Sequence, residues 1–86
     1  AAEMTVAPNP VQARTTVSLH VRAEQDATVT LYDMLGRRVR TLHDGPVVPG
    51  RDHTFRVDAT GLSSGPYLLR ADGEQFQKTR RITVVR

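Results

Sequence analysis

The 86-residue chain is one small domain's worth of polypeptide. That is enough for a single modest core and too short for a second domain or a large substrate pocket, which argues against a stand-alone enzyme. It contains no cysteine, so a disulfide staple, a Cys-ligated zinc site, an iron–sulfur cluster and a thiol nucleophile are all excluded. The net charge of +3 is unevenly spread: residues 78–86 hold Lys78, Arg80, Arg81 and Arg86 and no acidic side chain, although a solvated strand face accounts for such a run without any function.

Helical periodicity is sustained nowhere, whereas Val, Ile and Thr make up about a quarter of the chain and favour pleated, half-buried strands. The first strand is predicted at residues 4–6 and should stop at Pro8-Asn9-Pro10, which lacks two backbone donors and biases Ala7 and Asn9 toward extended conformations. In the second, Val17, Leu19 and Val21 alternate with Ser18 and His20; in the third, Val29 and Leu31 alternate with Thr28, Thr30 and Tyr32. Each run offers one apolar face. Asp33-Met34-Leu35-Gly36 reads as a tight turn with Gly36 at positive φ, making a hairpin with a strand at residues 38–42.

Gly45-Pro46-Val47-Val48-Pro49-Gly50 reads as a mobile surface loop or a sheet crossover ahead of a strand at residues 53–57. Gly61-Leu62-Ser63-Ser64-Gly65-Pro66 separates that strand from one at residues 67–71, and the last covers residues 76–85. About seven short strands between turn signals predict an all-β, immunoglobulin-like β-sandwich of antiparallel strands. No repeat, low-complexity tract or linker interrupts the pattern, so one domain is expected to fill residues 1–86. No run approaches the roughly eighteen apolar residues of a helical membrane span. The opening Ala1-Ala2-Glu3-Met4 has neither an initiator Met nor a secretory leader, so the chain is expected to be a mature or excised module of a longer protein.

Four features taken in order resemble the type A C-terminal sorting domain of the type IX secretion system of Bacteroidetes-type bacteria. They are Pro8-Asn9-Pro10 after the opening strand, Leu31-Tyr32-Asp33-Met34-Leu35-Gly36-Arg37-Arg38-Val39, Leu62-Ser63-Ser64-Gly65-Pro66-Tyr67, and the basic, β-branched ending Lys78-Thr79-Arg80-Arg81-Ile82-Thr83-Val84-Val85-Arg86. The second and third are similar to the family's YD-x-x-GR-x-V and L-x-x-G-x-Y patterns. Pro66 stands where the family more often has a small or β-branched residue, which predicts an unpaired edge at the start of that strand. Arg86 stands where Lys is common. Immunoglobulin-like modules of flagellar hook-capping proteins share parts of these patterns, and the basic tail tips the reading toward sorting.

The resemblance implies a domain that catalyses nothing. It implies an address carrying a cargo joined upstream of Ala1 from the periplasm through an outer-membrane translocon, followed by removal by a sortase-like cysteine peptidase and attachment of the cargo at the cell surface. Alternatively, the chain is a structural or adhesive module of a surface protein. The absence of Trp weakens a carbohydrate-binding version of that alternative, since such sites use exposed aromatic platforms.

Residue by residue, Asp33 is suited to accept hydrogen bonds from turn backbone donors, and Arg37 to pair with it or with another carboxylate; neither role needs a ligand. Tyr67 reads as a core residue with its hydroxyl at the rim. Ile82 and Val84 share one strand face, opposite Arg81, Thr83 and Val85, so they are expected to anchor the tail while its cations face outward. An edge strand there would present unpaired N–H and C=O groups to a translocon partner, or to a second copy of the domain. Recognition is expected to rest on Lys78, Arg80, Arg81, Val84, Val85 and Arg86.

Competing chemistry is thin. His43 and His53 bracket a loop with Asp44 and Asp52 without zinc or calcium spacing, and neither metal nor cofactor is expected. Ser18, Ser63 and Ser64 lack a nucleophile context, and the glycines form no phosphate-binding fingerprint. Phe55, Phe76, Tyr32 and Tyr67 do not interleave with basic residues, so no nucleic-acid partner is expected.

Overall fold

The computed structural model describes residues 2–85. Seven strands, β1 (Ala2–Ala7), β2 (Arg14–Val21), β3 (Gln25–Asp33), β4 (Arg38–Val47), β5 (His53–Asp58), β6 (Gly65–Gly73) and β7 (Gln77–Val84), succeed one another without a helix among the described residues. All pair antiparallel, in a three-stranded sheet ordered β1-β2-β5 and a four-stranded sheet ordered β4-β3-β6-β7. This is the expected sandwich, consistent with the immunoglobulin-like class.

The core follows from the alternation. Val17, Leu19 and Val21 of β2 face Val29 and Leu31 of β3, Leu69 and Ala71 of β6, and Ile82 and Val84 of β7, all fully or almost fully buried. Burying a Leu, Ile or Val side chain stabilises the fold by roughly 1.5–3 kcal/mol. The intervening positions carry Thr, Arg and Asp into solvent, so a one-residue slip would expose the whole apolar set.

One expected loop is partly strand. Gly45, Pro46 and Val47 lie in β4, where Val47 is 0% exposed and pairs with Gln25. Breaker residues are tolerated because β4 is a sheet edge, so the missing Pro46 N–H needs no partner. The strand also carries register shifts against β3 at Val29/Thr30 and Leu31/Tyr32. The expected crossover is confined to residues 48–52, where the chain passes from β4 in one sheet to β5 in the other. It is held by the Val48 N–H, which donates to His53 Nε2 at 3.0 Å.

The registers define two ends of a molecule 37 Å long. At one end sit Ala2, paired with Val21, and the β2–β3, β4–β5 and β6–β7 connections. At the other sit the β1–β2 connection, the β3–β4 turn, the β5–β6 loop and the end of β7. There the Ala59 N–H extends the β2–β5 ladder by donating to Ala13 O, 2.8 Å, and the two sheets are tied where Arg40 Nη1 of β4 donates to Asp58 O of β5, 2.6 Å.

The β3–β4 turn needs a glycine for conformation, not for space. Gly36 has φ +83° and nothing within 4 Å of where a Cβ would stand. A β-branched residue there meets the left-handed penalty of roughly 1–2 kcal/mol, whereas an exposed ion pair contributes little. Gly36→Val is therefore expected to lower the melting temperature more than Arg37→Ala; thermal melts in the opposite order would refute this.

Candidate functional site

The four sequence motifs converge on one end of the sandwich. Pro8-Asn9-Pro10 follows β1, Asp33 to Arg37 turn from β3 to β4, residues 62–67 lead into β6, and β7 finishes beside them. The hairpin motif closes its own backbone. Asp33 Oδ1 accepts from the N–H groups of Leu35 (2.9 Å) and Arg37 (3.0 Å), and Oδ2 accepts from Arg37 Nε at 2.8 Å. The Gly36 N–H donates to Asp33 O and the Asp33 N–H to Arg37 O, both 3.0 Å. The Y-D-x-x-G-R spacing is thus a self-satisfied turn, with the pairing of Asp33 and Arg37 as expected.

Tyr67, 8% exposed, is the core residue anticipated, and its hydroxyl donates to Ser63 O at 2.7 Å. This is the logic of a tyrosine corner, in which a phenol ties an incoming loop to the strand it feeds. Gly65, at φ +137°, supplies the turn into β6 that an L side chain resists. Pro66 is paired in register with Thr83, whose own N–H and C=O point the other way, and it precedes the last β3–β6 pair, Asp33 with Tyr67. Its missing donor faces past the end of β3, so the start of β6 lacks a partner on that side only and is paired with β7 on the other, in place of the unpaired edge expected from sequence.

The tail departs from expectation at its edge. Asn9 lies beside β7 and imitates a strand with its side chain: Nδ2 donates to Arg81 O at 3.1 Å, and Oδ1 accepts from the Thr83 N–H at 3.2 Å. The Val11 N–H donates to Thr83 O at 2.7 Å, the Val85 N–H donates to Val11 O at 2.8 Å, and Val11 is buried. Thr15 Oγ1 steadies this clasp by donating to Pro8 O at 2.8 Å. The outward edge of β7 from Arg81 to Val85, read from sequence as unpaired, is therefore occupied, because the β1–β2 connection folds back along it. An apolar Val directly after Pro8-Asn9-Pro10 was the signal that could have revealed the clasp.

The cations also divide. Ile82 and Val84 anchor the strand and Arg81 stands on the opposite face, as expected. Lys78 and Arg80, however, share the face of Ile82 by alternation. Both are exposed because β7 is an edge strand whose inner face is not covered there, and Arg80 Nε reaches across to donate to Met4 O of β1 at 3.0 Å. Arg80 thus helps close the sandwich instead of pointing freely outward. Val85 remains 45% exposed beside a groove lined by Pro8, Pro10 and Arg14, and Arg86 lies outside the described residues.

The model of the secretion system C-terminal sorting domain family matches residues 5–85. The chain belongs to that family. A comparison with curated proteins finds no match. The sorting domain is a C-terminal signal for type IX secretion, it interacts with that machinery and a cargo, and its function is export through the outer membrane. The family is not enzymatic, and the match decides for a sorting signal over an adhesive module.

Two carboxyls at this end of the sorting domain titrate below the ordinary value of 3.8. Asp33 is lowered first by the Arg37 backbone N–H, with help from the Arg37 side chain and the Leu35 N–H. Asp58 is lowered first by the Thr60 hydroxyl (2.6 Å) and then by its N–H (3.0 Å), with Arg14 and Arg40 adding weaker attraction. A depressed folded-state pKa means that the stabilisation is complete above the unfolded value and is lost as pH falls through the folded one. Melting temperature is expected to fall below pH 3.8, and less so in Asp33→Asn; equal acid sensitivity in that variant would refute Asp33's share. For the clasp, Asn9→Ala is expected to cost about 1 kcal/mol and to speed hydrogen exchange at the Thr83 amide. An unchanged Thr83 exchange rate would overturn the assignment.

Proposed function

We propose that residues 1–86 form a single sorting module of a larger secreted protein, without catalytic activity of its own. It would be read through its last strand by Lys78, Arg80, Arg81, Val84, Val85 and Arg86. In this reading the cargo precedes Ala1, is cut free by a sortase-like peptidase after transport, and stays at the cell surface. The observation that carries the proposal is the placement of the two termini. Ala2 begins β1 at one end of the 37 Å molecule, whereas Val84 finishes β7 among the converging motifs at the other. A bulky cargo joined upstream leaves the motif end accessible to a receptor.

Self-association belongs to the same reading. A second copy would add along the Gln77 to Arg80 stretch of β7, upstream of the clasp, because strand addition needs N–H and C=O groups that are not already paired. Nucleic acid is not a partner in this account, so export should lack the steep salt dependence of phosphate binding.

The test is a periplasmic reporter fused to the full chain, compared in a type IX-competent host with the same fusion lacking residues 78–86. Export of the full fusion alone is the expected result. Export of both moves recognition off the tail, and export of neither, alongside a working sorting domain, overturns the proposal.

A further inference from the structure

The described residues include three large apolar side chains that are exposed, Met34 at 51%, Leu35 at 78% and Val85 at 45%, and all three lie at the motif end. Met34 and Leu35 form the tip of the β3–β4 hairpin, and Val85 follows β7 in the same sheet. β3 and β7 are two strand positions apart in that sheet, roughly 10 Å at the usual strand spacing. Neither tip side chain is needed to make the turn, whose bonds are all supplied by the Asp33 and Arg37 side chains and the backbone.

Charge is sorted along the same axis. Among the described acidic side chains only Asp33 and Asp58 lie at the motif end, and both are engaged locally, with Arg37 and Thr60. Exposed Arg14, Arg37, Arg38 and Arg81 stand at that end. The other acids lie toward the cargo end, with Asp26, Asp44, Asp72 and Glu74 gathered around one shallow hollow. The modest net charge of +3 conceals a basic, apolar-tipped end and an acidic one. Met and Arg around an apolar centre are what protein interfaces enrich, and Arg matches carboxylates in planar, bidentate fashion.

We infer that the hairpin tip, Met34 and Leu35 beside Arg38, together with Val85, forms a docking surface for a protein of the secretion machinery that presents an apolar patch ringed by carboxylates. This rests on the sorting function and extends the recognition surface from one strand to a discontinuous end of the sandwich. A lipid surface fits less well. Interfacial anchoring favours exposed aromatic rings, whereas the sequence has no Trp, Tyr67 is buried, Tyr32 is half-buried in β3, and Phe55 and Phe76 pack against the core. The hydrogen bonds of the Asp33 turn set the shape of the tip.

The experiment uses the full-chain reporter fusion in a type IX-competent host, with Met34→Ser/Leu35→Ser, Arg38→Glu and Glu74→Lys variants and the fusion lacking residues 78–86. Export is expected to fall about tenfold or more in the first two variants and to hold in Glu74→Lys, with melting temperatures of the purified domains near the parent's. A photocrosslinker at position 35 in exporting cells should give an adduct with a secretion-machinery protein. Parent-level export of Met34→Ser/Leu35→Ser, while the tail deletion abolishes export, overturns the docking surface and leaves the sorting reading intact. An adduct with lipid alone, or an equal loss in Glu74→Lys, also overturns it. Failure of the parent fusion itself to be exported instead defeats the underlying sorting reading.

Discussion

A sandwich of two open sheets has edge strands whose outward N–H and C=O groups require cover, and the way β1 and β7 cover each other organises the rest of this domain. Both are edges, one in each sheet. Asn9 and Val11, just past β1, take up the outward groups of Arg81, Thr83 and Val85. In return Arg80 donates to Met4 O of β1. The exchange joins the start of the chain to its end and fixes the tail in place. The opposite side is handled by other devices, namely register shifts and Pro46 in β4 and the reach of Arg40 to Asp58 O.

This exchange sets the character of the last strand, β7. It is an ordered element of the sandwich, with Ile82 and Val84 in the core and part of its outer edge already paired. Strand addition along its last residues would have to displace Asn9 and Val11, which already occupy that edge. The family's motif residues serve that end structurally. Asp33 and Gly36 shape one turn, Gly65 and Tyr67 tie down the neighbouring loop, and Pro8-Asn9-Pro10 delivers the clasp.

The charge asymmetry adds direction. Acidic side chains concentrate toward the end where β1 begins, and arginines with exposed Met34, Leu35 and Val85 toward the other. Such a distribution orients a molecule as it approaches a charged partner, and it falls off with added salt as screening shortens its range.

The sequence by itself determined the strands, the class of fold and the turn chemistry. Alternation at Val17, Leu19 and Val21 and at Val29 and Leu31, punctuated by Pro8-Asn9-Pro10 and Gly36, is local information that a pleated strand reads directly. It also carried the motifs that place the chain in its family and the partnership of Asp33 with Arg37 across one turn. Only the tertiary structure decided that Val47 belongs to a strand, that Arg80 crosses to β1, and that Asn9 seals the edge of β7 from 74 positions away. The physical reason is the same each time. Alternation says which side of a strand a residue occupies, but not which strand lies beyond the sheet's edge or where an inner face outruns its cover. Those depend on how two sheets are stacked and staggered, and the gathering of arginines and exposed apolar residues at one end exists only once they are.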